Sequence, residues 1–368
     1  MVKVSSGSSN WDMYDNMRGI ATGGNDAVLR ANLSNAEISA DTTSLTATGF
    51  TFTGSADATY IYIAIRRGPM KVPTSGNEVF YSATFGDTQT SFSTGFATDF
   101  AINKVTYYNP DQGTYTPGTN QIAPRLTGTQ GLQTNTTNAE GGTGVAGWDI
   151  QDGYKWANGS GYDIFGWAFK RAPSFADVFC YTGTGATNAQ THNLGVSPEM
   201  VITKSRSGAF NWSVYIPALN RNNLLTTAAG TTSGGQVSVS STTVTFSAAA
   251  GNTWNGSGNT YIAYLFATCA GVSKVGSYTG TGTTQTINCG FTNGARFILI
   301  KRTDSTGAWF VYDSYRGIQS GNDPYLVLND SAAAILNTNY VDTDSTGFQV
   351  IGTGLNVNAA TYIFLAIA

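Results

Sequence analysis

The chain has 368 residues, 44 of them Gly and only 11% charged, with a net charge of −3. That balance offers no clustered Lys and Arg to displace counterions from nucleic acid, and no apolar run reaches the roughly 18 residues that cross a bilayer. The 19 Tyr, 19 Phe and 7 Trp provide enough apolar surface for packed cores and exclude a disordered chain; with Gly- and Thr-rich spacing, they predict short strands joined by tight turns.

The first segment carries Lys3, then Trp11 eight residues on, Tyr14 eleven on and Arg18-Gly19 fifteen on. The same spacing recurs. Lys104 is followed by Tyr115 at the eleventh place, with Gln112 where the Trp would be. Lys204 is followed by Trp212 and Tyr215, and Lys301 by Trp309, Tyr312 and Arg316-Gly317. The four lysines lie 101, 100 and 97 residues apart. Each copy closes on an apolar run: Tyr60–Ile65, Tyr162–Trp167, Tyr261–Phe266 and Tyr362–Ile367. The chain therefore reads as four tandem units. They span 1–70 (partial), 71–173 (divergent), 174–271 and 272–368. The first starts at its lysine strand and lacks about 25 residues that precede the lysine in the others. The expectation is an open sheet edge there, filled by residues of a longer parent or by another chain.

In the fourth unit, Val275–Tyr278, Thr284–Ile287, Arg296–Ile300, Trp309–Tyr312, Tyr325–Leu328, Gly347–Ile351 and Tyr362–Ala368 all read as strands separated by turns. Seven or eight such strands per unit predict an all-β chain of tandem β-sandwich, jelly-roll-like repeats. Ser331–Leu336 is a short helical candidate. The joints at Arg67–Lys71, Lys170–Pro173 and Ala270–Ser273 are brief, two of them stiffened by Pro, which predicts an elongated rod.

Candidate sites are few. His192 is the only histidine and lies in a turn, so a nucleophile has no base to activate it. Cys180, Cys269 and Cys289 match neither a disulfide framework nor a zinc pattern and read as small buried hydrophobes. No metal site and no cofactor is expected. The Asn322-Asp323 and Asp342-Thr-Asp344 turns are acidic but lack EF-hand spacing. In the second unit, Asp149, Asp152 and Asp163 fall near Trp148, Trp156 and Trp167. That combination suits sugar stacking with polar anchoring, against the competing reading of plain packing. Trp11, Trp212 and Trp309 read as core. The repeated lysines follow apolar runs and are expected at strand ends with solvated heads.

The segment Thr191-His-Asn-Leu-Gly-Val-Ser-Pro-Glu-Met-Val-Ile-Thr-Lys-Ser-Arg-Ser-Gly-Ala-Phe-Asn-Trp212 resembles an element found in tandem in virion proteins of tailed bacteriophages. Ala295–Gly317 and Tyr60–Met70 resemble the same family. The resemblance covers essentially the whole chain and is weakest in the second unit, with its long Asn109–Asn138 stretch. It implies a non-enzymatic tail-fibre or tail-appendage segment, assembled in the host cytoplasm without a signal peptide. Other virion proteins, a homotrimer and a host-surface glycan would be its partners. Alternatives are a carbohydrate-binding adhesin array and a capsid or tail decoration protein.

Overall fold

A computed structural model of the chain describes residues 1–15, 20, 26–46, 49–65, 70–85, 90–109, 114–116, 118–142, 144–156 and 162–368. The protein is all-β, and the described strand pairings are antiparallel, joining both neighbouring strands and strands far apart in the chain. Each of the last three segments builds one large sheet and one three-stranded sheet, and among the described residues no strand pairs with a strand of another segment.

The large sheets share one strand order. An opening strand (Phe80–Phe85, Ala176–Thr182, Ser273–Thr279) lies beside a closing strand (Tyr162–Phe169, Thr260–Phe266, Thr361–Ile367). Next come the lysine strand (Phe100–Asn109, Met200–Ser205, Phe297–Arg302) and a return strand (Asn120–Pro124, Ser213–Ile216, Trp309–Asp313). An outer strand follows (Gln130–Gln133, Arg221–Leu224, Leu326–Val327). The first unit repeats this order with Tyr60–Tyr62 closing, Val2–Val4 carrying the lysine, then Asp12–Met13 and Asp26–Arg30. It has no opening strand among the described residues, so Tyr60–Tyr62 is an edge.

Side chains alternate across each large sheet. Ala101, Val201 and Ile298 face the small sheet of their own unit, each in a separate core. Their neighbours Ile102, Ile202 and Leu299 turn the other way and meet in one core common to the second, third and fourth units. The closing strands add Trp167, Tyr264 and Leu365, in register with those three residues. Both faces of each large sheet are thus covered. That accounts for the near-continuous apolar runs Phe297–Ile300 and Tyr261–Phe266, where a half-exposed strand would alternate. An apolar-lined cavity of about 30 Å³ remains at the centre, lined by Phe100, Ile102, Ile202, Tyr264, Leu299 and Leu365 among others.

The three units therefore close around a common pseudo-threefold axis, which corrects the expected rod. Short joints bring neighbouring units face to face instead of spacing them out. At the junctions, Asp99 accepts from the Arg171 backbone N–H (2.7 Å) and Glu199 from that of Thr268 (2.7 Å). The equivalent residue of the fourth unit is Arg296. It donates to Ala368 O (3.0 Å) and reaches into the second unit at Asn77 Oδ1 (2.5 Å) and Phe80 O (3.0 Å). Two joints are covalent, and this clamp makes the third. The first unit rests on the rim, where Ile20 and Leu45 share a small cavity with Asp99, Arg125, Arg171 and Val178.

Two further expectations change. Ser331–Leu336 is not helical; Ile335 bridges Tyr325 in extended conformation. In the second unit the lysine spacing slips: Lys104 pairs with Asn120, sixteen residues on, and Ala101 with Ala123. The ten-residue lysine strand runs on into an extra pairing with Thr114–Thr116, where Tyr108 opposes Tyr115. Asn120 thus takes the Trp position and Ala123 the Tyr position. Gln112 and the side chain of Tyr115 lie outside the described residues.

Candidate functional site

The repeated residues converge on the seams between units. Lys301 and Trp309 face each other across adjacent strands. Trp309 is fully buried and donates its indole N–H to Leu224 O of the third unit at 2.9 Å. Trp212 does the same to Gln133 O of the second unit at 2.8 Å. Leu224 and Gln133 hold matching places on their outer strands, since Ser213 pairs with Leu224 and Gln121 with Gln133. Asn120 completes the cycle. Its side-chain amide reaches Val327 O (3.0 Å), Leu328 O (2.9 Å) and Asp330 O (2.8 Å) of the fourth unit. Third to second, fourth to third and second to fourth, the same head-to-tail contact closes on itself after three steps.

The lysines lie beside these contacts, and here the sequence expectation fails. Lys104, Lys204 and Lys301 are buried, not solvated. Their ammonium groups sit among backbone carbonyls: Lys104 at Gly118 O (3.1 Å) and Asp330 O (3.2 Å), Lys204 at Ser205 O (2.7 Å) and Gly208 O (3.1 Å), Lys301 at Arg302 O (2.6 Å) and Ala228 O (3.4 Å). Burial lowers each from 10.5 to about 8, because desolvation penalises the charged form. The covering neighbour is what removes the water. Tyr215 and Tyr312 face inward to their own unit cores.

Charged pairs finish the seams. Arg206 of the third unit binds Glu140 of the second through Nε (3.0 and 3.1 Å) and a second guanidinium nitrogen (2.7 Å). Arg316 holds Asp313 at 2.6 Å, and Asp313 accepts the Trp167 indole N–H at 3.1 Å. The Arg316 guanidinium also lies 5.5 Å from the Phe165 ring and 5.7 Å from that of Trp167. The sequence did not single out Asn120, Glu140, Arg206 or Arg296, whereas Arg316 stood in the recurrent Arg-Gly pair. The continuous apolar runs were the available signal that a second face needed partners.

The tryptophans and acids of the second unit do not form a surface cluster. Trp148 and Trp156 are buried in that unit's own core and Trp167 in the shared one. Trp148 donates to Gly128 O at 2.6 Å under the Arg125 guanidinium, 5.3 Å from its ring. No face of these indoles is left for a sugar to stack on. Asp149 pairs with Lys155 at 2.6 Å, and Asp152 accepts the Gly95 N–H at 2.5 Å and the Ser93 hydroxyl. The Asp163 side chain lies outside the described residues.

In the first unit Lys3 and Trp11 are half-buried, with the ammonium 5.7 Å from the ring. Tyr14 shares a hydrogen bond with the Thr42 hydroxyl at 2.8 Å. His192 is a turn residue: Nδ1 accepts from Leu194 N (3.2 Å), leaving Nε2–H for Ser240 O (3.1 Å). Burial lowers its pKa. The free thiols of Cys269 and Cys289 are buried, and burial pushes Cys289 up to about 12; Cys180 is half-buried.

Asp323 and Asp342 come together to shape one loop. Asp323 accepts from Gln319 N (2.7 Å) and Asp342 from Gly321 N (3.2 Å). Burial raises Asp323 to about 6, with Asp342 adding to the effect. Among the described residues, no group of three or more His, Cys, Asp or Glu could hold a metal ion. No helix among them is long and apolar enough to cross a membrane.

No curated protein matches the chain significantly. A family model described as a domain of unknown function, DUF7483, matches residues 126–368, from the second unit's large sheet through the whole of the third and fourth, and the chain belongs to that family.

Proposed function

We propose that this chain is a non-enzymatic structural protein of a bacteriophage virion, a segment of a tail fibre or other tail appendage that contacts other virion proteins and the host surface. One observation carries the reading. The side chains that recur from unit to unit, Lys, Trp and their Asn substitute, are committed to joining units to one another. A closed triad of sandwiches suits a load-bearing particle component: its cohesion is spread over three seams and one core. The sequence resemblance to tandem virion repeats points the same way. Residues that would carry hydrolysis, such as His192, are tied into turns.

The test is to purify particles from the source culture, identify the chain in them by mass spectrometry, and locate it by immunogold electron microscopy. Label at the tail or its fibres supports the reading. Label over the capsid favours decoration. Absence from particles, with label on cells, replaces it by the adhesin reading. A glycan array then asks whether the loop ends bind sugar, since the buried tryptophans offer no stacking platform.

A further inference from the structure

We infer that Lys104 and Asn120 close an isopeptide bond without an enzyme, joining the lysine strand of the second unit to its return strand with loss of one ammonia. The inference is independent of the virion reading.

The fold brings the two reacting groups together. Lys104 and Asn120 are partners on adjacent antiparallel strands. Beside them the Val105 N–H bonds Thr119 O. Theirs is therefore a non-hydrogen-bonded pair, the kind that holds opposed side chains closest. Both side chains then turn to one acceptor. Asp330 O takes the Lys104 ammonium at 3.2 Å and the Asn120 amide nitrogen at 2.8 Å. Lys104 is 0% exposed and Asn120 1%, so the site keeps out water that would compete for the acyl group.

The nucleophile and the proton carrier are also present. Burial lowers Lys104 to about 8, so neutral amine with a free lone pair exists near neutral pH, as in other desolvated nucleophilic lysines. The Asp330 carboxylate acts on Lys104 through its charge, and its Oδ1 accepts the Ala332 N–H at 2.9 Å.

The amine leaves Gly118 O, and its lone pair attacks Asn120 Cγ. Asp330 takes a proton from the attacking nitrogen and passes it to the leaving one. The Nζ–Cγ bond forms, the Cγ–Nδ2 bond breaks and ammonia departs; nothing is oxidised or reduced. Holding amine and amide side by side replaces an encounter in solution, which is the main source of speed in intramolecular acyl transfer. The hydrogen bonds of Lys104 and Asn120 described above are those of the open form. After closure the remaining Nζ–H takes the place of Nδ2 at Asp330 O, so the seam keeps its contact.

The other units hold their lysines among carbonyls in the same way but offer no acyl carbon. Lys301 faces the indole of Trp309, and Trp212 holds the matching place beside Lys204, one step beyond the Thr203–Ser213 pair. The bond is confined to the unit in which Asn replaces Trp. There it ties the added pairing with Thr114–Thr116 into a covalent loop, which restricts the unfolded chain as other cross-links do.

The test is to incubate the purified full chain at pH 7 and pH 9 and follow its intact mass and tryptic peptides. The mass is expected to fall by one ammonia, faster at pH 9, where more of the amine is neutral. Residues 72–125 should appear in one peptide uncut after Lys104, in place of 72–104 and 105–125, with fragment ions placing the link between Lys104 and Asn120. Lys204 and Lys301 should stay cleavable. Lys104→Arg and Asn120→Ala are expected to keep their sequence masses. Asp330→Asn retains the shared backbone carbonyl and is expected to slow closure roughly 10²-fold, the loss of a positioned acid–base group. A wild-type chain that keeps its sequence mass and is still cut after Lys104 overturns the proposal. So does an ammonia loss that maps only to a succinimide at an Asn-Gly step such as Asn293-Gly294. Asp330→Asn closing as fast as wild type overturns the part given to Asp330.

Discussion

Trp309 donates its indole N–H to the backbone carbonyl of Leu224, eighty-five residues earlier in the chain, at 2.9 Å. The bond crosses from the fourth unit to the third. It makes a residue that would ordinarily serve its own sandwich core into the fastening of a neighbour.

Trp309→Phe and Trp309→Ala separate the ring from the hydrogen bond. Phe keeps most of the packing but orphans the Leu224 carbonyl, an expected cost of about 1–3 kcal/mol. Ala also opens a cavity, for about 3–5 kcal/mol in total. Denaturant unfolding followed by tyrosine and tryptophan fluorescence distinguishes the two. Equal effects would show that the bond contributes nothing beyond the ring.

Asn120 makes the same connection with an amide where its counterparts use an indole. Asn120→Asp removes both N–H donors and places a negative charge against three carbonyls. It is expected to destabilise the protein more than Asn120→Ala does, because burying an unpaired charge costs more than losing a hydrogen bond. A melting-temperature comparison at pH 7 checks the order; Ala falling below Asp would refute it.

The three buried lysines predict a rise in stability with pH. Their pKa falls from 10.5 to about 8 on folding. Below pH 8 both states hold these protons and the lysines give no slope. Above it the folded chain releases them while the unfolded chain keeps them, so stability climbs. Cys289, raised from 9.0 to about 12, acts in the opposite sense above pH 9, so the clearest rise lies between 8 and 9. Replacing Lys104, Lys204 and Lys301 together by Met should flatten it and stabilise the protein at pH 7. Urea midpoints across that window decide.

Asp323 gives the reverse slope. Its pKa is raised from 3.8 to about 6, so the folded chain holds a proton that the unfolded chain has lost in that range. The stability this contributes is present below pH 3.8 and is lost as pH rises through 6. Asp323→Asn keeps the acceptor for Gln319 N and cannot ionise. It is expected to raise the melting temperature at pH 7 by roughly 2–4 °C and to remove that part of the slope.

Gly76 tests the closure that no peptide bond provides. A Cβ there would lie 1.9 Å from Ala368 O. Gly76→Ala must therefore part the fourth unit from the second, disturbing the Arg296 clamp. Hydrogen exchange is expected to speed up at Val79–Tyr81 and Arg296–Ile298 while the third unit keeps its protection. Uniform protection throughout would show that the clamp is not what shuts the ring.

The class of fold was legible from the chain alone. Apolar spacing, turn residues and the recurrent lysines are local properties, and hydrogen bonding between near neighbours along the chain turns them directly into strands and hairpins. The same spacing misplaced the second unit's Trp position by eight residues. An added strand pairing leaves no mark in a ruler of fixed length, and only the register of Lys104 with Asn120 revealed it.

What tertiary structure alone decided is which surface each repeated residue meets. Sequence periodicity says that a strand has two faces; it does not say whether the second face meets water or another sheet. In units two to four it meets two other sheets, and so Lys104, Lys204 and Lys301 lose their solvent and Trp167, Trp212 and Trp309 become fastenings. In the first unit the equivalent residues Lys3, Trp11 and Ile63 keep theirs. The local sequence is alike in both places, and the difference comes from long-range burial, a property of the assembled fold that no short window of residues contains.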